Sequence, residues 1–133
     1  MHITGIYVAL ACLIVLFLAG RVSTGRGSAK VGLGDGGNAE LFRRIRAHAN
    51  AVENLPLALL LLLMLELNQT QTLWLHVFGC VLIIGRVLHA IGMWKSSNES
   101  FGRMVGTALT WGVMLVMALL LLWQWFAWTA TAH

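Results

Sequence analysis

Apolar and polar positions divide the chain into four long apolar stretches separated by three polar connections. The first, residues 3–20 (ITGIYVALACLIVLFLAG), carries no charged side chain. The second runs from about Ala39 to Leu67; it opens amphipathic (AELFRRIRAHANAVEN) and ends almost as pure leucine (LPLALLLLLMLEL). The third spans about Leu73–Trp94 and the fourth about Phe101–Trp128. Helices at about 3–22, 39–67, 73–94 and 101–128 each have the roughly 20 residues that cross a hydrocarbon layer of about 30 Å. The runs are continuous rather than alternating, which excludes a lipid-spanning barrel. The pattern predicts an all-α fold. It is an integral membrane four-helix bundle with left-handed up-down topology, in one domain covering 1–133.

Composition agrees. Only 11% of residues are charged and 59% are hydrophobic, with a mean hydropathy of +0.80. A soluble domain carries about 25% charge. A disordered chain and a disulfide scaffold are excluded as well; Cys12 and Cys80 both sit inside apolar runs. The net charge of +4 does not form the water-exposed basic face that nucleic acid requires. Met1 and His2 supply no cationic n-region, and the first run exceeds a signal-peptide core, so it reads as an uncleaved helix.

The connections set the expected orientation. Residues 20–38 (GRVSTGRGSAKVGLGDGGN) hold seven glycines with Arg21, Arg26 and Lys30, and predict a long flexible loop of the kind that often carries function. The second connection, Asn68–Thr72, is uncharged; the third, about Lys95–Ser100, has Lys95 within it and Arg103 just beyond. By the positive-inside rule the first and third connections are cytoplasmic and both termini are not. Trp74, Trp123, Trp125 and Trp128 then mark the non-cytoplasmic interface, and Trp94 the cytoplasmic one.

Charge inside a membrane helix costs about 2.5–3.5 kcal/mol at the helix centre, so it needs a partner or a function. In helix two, Arg43, Arg46, Asn50 and Glu53 recur at helical spacing on one face; His48 lies on another, and Pro56 predicts a kink near Glu53. In helix three, Arg86 and His89 share a face. In helix four, Arg103 precedes Gly106 and Thr107, and Gly102 with Gly106 makes a GxxxG that allows close packing. Antiparallel neighbours bring these groups to one depth near the cytoplasmic side. Arginine in excess over Glu53 points to an anionic ligand. Structural roles stand beside this reading. Arg43, Arg44 and Lys95 suit interfacial anchors, Glu53–Arg86 a structural ion pair, Asn50 an interhelix bridge and His89 a packed helix residue. No histidine or cysteine spacing suits a metal.

The segment Phe42–Pro56, FRRIRAHANAVENLP, resembles the pattern R-A-x-x-N-x-x-E followed by proline. That pattern marks the membrane-associated proteins in eicosanoid and glutathione metabolism, which include the microsomal glutathione transferases. Four spans, the long first connection and GRVLH (Gly85–His89) extend the resemblance over nearly the whole chain, which looks most like the small bacterial members. The resemblance implies that Arg46, Asn50 and Glu53 hold glutathione, with His48 a polar contact and Arg86 and His89 the polar positions of helix three. It places Arg26 near the thiol and Arg103 beside the thiolate as catalytic groups. It also implies a homotrimer with glutathione between subunits, in a bacterial inner membrane. One departure stands out: where several members have a helix-three tyrosine, this chain has Met93, and its one tyrosine is Tyr7 in helix one.

The residue types suit the tripeptide. Its carboxylates match arginine forks, its ammonium matches a carboxylate and its amides match asparagine. A guanidinium near the thiol raises the thiolate fraction. The expected function is a glutathione-dependent transferase, with peroxidase activity as an extension, that joins the thiolate to a lipophilic electrophile arriving from the membrane lipid. The alternative is a non-catalytic glutathione- or lipid-binding membrane protein. A small multidrug exporter is disfavoured because helix one holds no carboxylate.

Overall fold

A computed structural model describes residues 2–95 and 100–131, with the side chain of Lys95 outside that description. Most of the third connection (96–99) and the terminal His133 therefore lie outside the described residues. Four helices make up the architecture: α1 (Ile3–Ala29), α2 (Ala39–Leu67), α3 (Thr72–Lys95) and α4 (Phe101–Thr131). All four are long and apolar enough to cross a membrane, and no strand occurs among the described residues. The chain is thus an all-helical integral membrane protein.

The two middle helices organise the bundle. Among the described residues α2 and α3 each pack on all three other helices, whereas α1 and α4 do not touch. The buried stripe of α2 is Ala47, Ala51, Leu55, Ala58, Leu62 and Leu65, at the three- and four-residue spacing of one helix face. Ala47 and Ala51 lie in the basic half, where small side chains let neighbouring backbones approach. Tyr7, Ala11 and Leu18 of α1, Leu75, Phe78 and Leu82 of α3, and Val113 and Met117 of α4 complete the core.

Helix α1 runs seven residues past the boundary near residue 22 that its apolar stretch suggested, and the reason is local. Thr24 and Ser28 hydroxyls bond back to the carbonyls of Arg21 and Thr24 at 3.1 and 3.0 Å, so these polar side chains are satisfied within the helix. Gly25 lies against Leu41 and Arg44 of α2, where a Cβ would crowd both side chains. Lys30 ends the helix in the left-handed region (φ 53), its N–H meeting the Arg26 and Gly27 carbonyls. Only nine residues, 30–38, connect α1 to α2. Asn38 then caps α2, its Oδ1 accepting from the N–H groups of Glu40 and Leu41 at 3.0 and 2.9 Å. Helix α2 continues through Pro56 without interruption.

Glycine sets the α3–α4 crossing. A Cβ on Gly106 would meet the Gly85 carbonyl and the His89 backbone, and one on Gly102 would meet the Leu88 carbonyl at 3.0 Å. The Gly102–Gly106 pair is therefore used inside the chain, against α3. At the far end Glu66 of α2 caps α1, accepting from the Thr4 N–H at 2.8 Å and from that of Ile3. A carboxylate there meets the positive end of the helix dipole.

Candidate functional site

A cavity of about 360 Å³ opens at the basic end of the bundle, lined by Ala39, Phe42, Arg43, Arg46, Asn50, His89, Met93 and Arg103. Three helices build it. The first turns of α2 supply Arg43, Arg46 and Asn50 from one face; α3 supplies His89 and Met93; α4 supplies Arg103 from its first turn. Three guanidiniums, one imidazole and one amide around a common hollow make an anion-binding environment. Its volume lies within the roughly 300–1,000 Å³ usual for small-molecule sites.

Arg86 forms the floor rather than the lining. It is only 2% exposed. Its Nε donates to Thr110 Oγ1 at 2.9 Å, Nη1 to Asn50 Oδ1 at 2.6 Å and Nη2 to the Gly106 carbonyl at 3.4 Å. Thr110 Oγ1 in turn donates to the Gly106 carbonyl at 2.8 Å. The guanidinium thus satisfies itself with neutral oxygens from α2 and α4, and joins three helices at one point. Because an arginine nitrogen only donates, Asn50 presents its carbonyl oxygen to Arg86. Its amide nitrogen is then the donor that Asn50 brings to the cavity.

Glu53 pairs with Arg46 at 3.9 Å rather than with Arg86, and both side chains are about half exposed, at 55% and 47%. Glu53 stands roughly 21 Å along α2 from its start, at about the middle of that span. A charged face at this depth, open on a single chain, is costly against lipid. Arg103 also borders a second, more apolar hollow of about 340 Å³ on the outer side of α4, lined by Ser100, Met104, Thr107, Ala108 and Trp111. One guanidinium therefore stands between a polar cavity and an apolar one.

A family model matches residues 4–123, and its description is the MAPEG family. The chain belongs to the MAPEG family. Two relatives in Escherichia coli, from strain K12 and from strain O6:H1, are both named inner membrane protein YecN; each is 35% identical over 127 residues and covers 91% of this chain and 91% of its own. MAPEG membership makes this chain a membrane protein of the glutathione and eicosanoid family.

Against the MAPEG motif the structure divides the predicted residues into three groups. Arg46, Asn50, His89 and Arg103 share one cavity. Arg86 and Glu53 adjoin it through Asn50 and Arg46. Arg26 and His48 do not line it. Arg26 sits in the last turn of α1 and holds the following connection, its Nη1 donating to the Gly32 and Gly34 carbonyls at 3.1 and 2.9 Å. Arg44, read as an interfacial anchor, reaches the Arg21 carbonyl at 3.1 Å and pairs with Glu40.

Sequence reasoning missed a second polar cluster, at the opposite end. The Tyr7 hydroxyl lies 2.9 Å from His76 Nδ1, donates to the His76 carbonyl at 3.1 Å and lies 3.4 Å from Cys80 Sγ. Gly79 leaves the room that the Tyr7 ring occupies. His76 and Cys80 at helical spacing are visible in the sequence; the register of α1 against α3 that brings Tyr7 between them is not.

Proposed function

We propose that the chain is a membrane-bound glutathione-dependent transferase. Glutathione is the co-substrate, held at the basic end by Arg46, Asn50, Glu53 and His89 above the Arg86 floor, with Arg103 as the thiolate-stabilising group. The observation that carries this reading is the convergence of Arg43, Arg46, Asn50, His89 and Arg103 on one cavity beside Glu53. Arg46 and Arg43 suit the two carboxylates of the tripeptide, Glu53 its ammonium and Asn50 an amide. The hollow beyond Arg103 suits the lipophilic electrophile, which enters from lipid along α4. A drop of two units in the thiol pKa needs about 2.7 kcal/mol of differential stabilisation. A partly desolvated guanidinium can supply that.

The half-exposed Arg46–Glu53 pair also supports a homotrimer. A neighbouring chain would cover this charged face, and its own Arg26 and His48 would complete a site that one chain leaves open. The inner membrane, named for the Escherichia coli relatives, is the proposed location, with the basic end and its cavity on the cytoplasmic side and both termini on the other.

A second reading, a non-catalytic glutathione- or lipid-binding protein, draws on one observation. No tyrosine lines the cavity; Met93 does, and Tyr7 lies at the opposite end among His76 and Cys80. Difference ultraviolet spectroscopy separates the two. A thiolate band appearing when glutathione is added at neutral pH supports the transferase; glutathione bound with no such band supports the binding protein.

A further inference from the structure

We propose that the groove between α1 and α3 seats one acyl chain of an anionic glycerophospholipid, with Arg21 holding the phosphate. The groove has a volume of about 350 Å³ and an entirely apolar lining that includes Leu13, Phe17, Ile83, Val87, Ile91 and Trp94. It is separate from the arginine-lined cavity, which lies between α2, α3 and α4.

Its length fits one leaflet. From Leu10 to Leu18 it follows about 12 Å of α1, and from Ile83 to Trp94 about 16 Å of α3, at roughly 1.5 Å per residue. Half of a hydrocarbon layer of about 30 Å is ~15 Å. The groove is therefore about as long as a single acyl layer.

Its basic end is closed by a headgroup-level device. The Arg21 guanidinium lies 4.0 Å over the Trp94 ring, and Trp94 packs against Phe17 with ring centroids 5.7 Å apart. Both aromatic residues line the groove. Arg21 lies about 27 Å from the start of α1, at the edge of the hydrocarbon. A guanidinium seated on an indole keeps its N–H fork for an anion. Among the described residues no carboxylate forms an ion pair with it; Glu40, near by on α2, is taken by Arg44, which also bonds the Arg21 carbonyl. An apolar slot one leaflet long, with an arginine at its mouth, matches a chain and a phosphate on one molecule. A phosphate supplies the counter-charge that Glu40, committed to Arg44, does not fully give Arg21; a neutral chain would not.

Native mass spectrometry of the protein purified in mild detergent tests this, with phosphatidylglycerol and phosphatidylcholine of equal chain length added in turn. One cation near the surface contributes about 1 kcal/mol toward anionic lipid, about five-fold in retention. The expected result is one phosphatidylglycerol adduct per chain, retained about five-fold better than phosphatidylcholine. Arg21→Gln removes that preference while both lipids still bind; Val87→Trp, which fills the groove, reduces retention of both. Equal retention of the two lipids by the unaltered protein overturns the proposal. So does an undiminished preference in Arg21→Gln, which would assign the phosphate to another cation, or the absence of any lipid adduct, as when a second copy covers the groove.

Discussion

Arg86 Nη1 donates to Asn50 Oδ1 at 2.6 Å, joining α3 to α2 directly beneath the cavity. The same guanidinium reaches α4 through Thr110 and Gly106, so the most buried charge in the basic half sets the spacing of the three helices that build the site. Asn50→Leu should leave Arg86 short of one acceptor and destabilise the protein by about 1–3 kcal/mol. Arg86→Lys should not preserve stability, because a single ammonium cannot match the fork that serves three oxygens. Thermal unfolding in detergent checks both; an unchanged midpoint in either variant contradicts the account.

Gly106→Ala should lower stability by about 1–3 kcal/mol, since its Cβ would press on the backbone of Gly85 and His89. Gly112→Ala is the control on the same helix. Nothing lies within 4 Å of a Cβ there, so the change should be neutral or slightly stabilising, by up to about 1 kcal/mol. Equal losses in the two would show that the crossing is not set by close backbone approach.

Glu66→Ala removes the acceptor for the Ile3 and Thr4 N–H groups. The expected cost is about 1 kcal/mol, as for loss of a helix cap. Hydrogen exchange should report it as faster exchange confined to the first turn of α1, with the basic end unaffected. Uniform acceleration across all four helices would contradict a local role.

Tyr7→Phe and Arg103→Ala should separate stability from chemistry. Tyr7→Phe loses the hydroxyl shared by His76 and Cys80 and should cost about 1 kcal/mol, with turnover unchanged. Arg103→Ala should lower turnover about 10- to 100-fold and weaken glutathione binding by less than about three-fold, following the 1.36 kcal/mol that corresponds to each pKa unit. Steady-state kinetics beside a binding titration check this; loss of turnover in Tyr7→Phe would move the activating group to the other end of the bundle.

The four spans were legible because each is a continuous apolar run, and Arg46, Asn50, His89 and Arg103 because polar residues in such runs stand out against their surroundings. Helical spacing alone aligned Arg46 with Asn50 on α2 and Arg86 with His89 on α3. Which acceptor Arg86 takes depended on something spacing does not contain. The axial offset of α3 against α2 presents Asn50 to it, and leaves Glu53 to Arg46. The end of α1 was misjudged because Gly25 and Gly27 read as loop; contact with Leu41 and Arg44 keeps this segment helical. Glu66, Tyr7 and His76 were passed over for a related reason: each is a single polar residue whose partner lies more than 60 positions away.

The claim that glutathione occupies the arginine-lined cavity is tested most directly by titrating glutathione into the purified protein by calorimetry, then repeating with Arg46→Ala and Glu53→Gln. Saturable binding that weakens at least about ten-fold in each variant is the expected result, in line with the 1.5–3 kcal/mol of a hydrogen bond to a charged group. No binding to the unaltered protein, or equal affinity in all three, would contradict it.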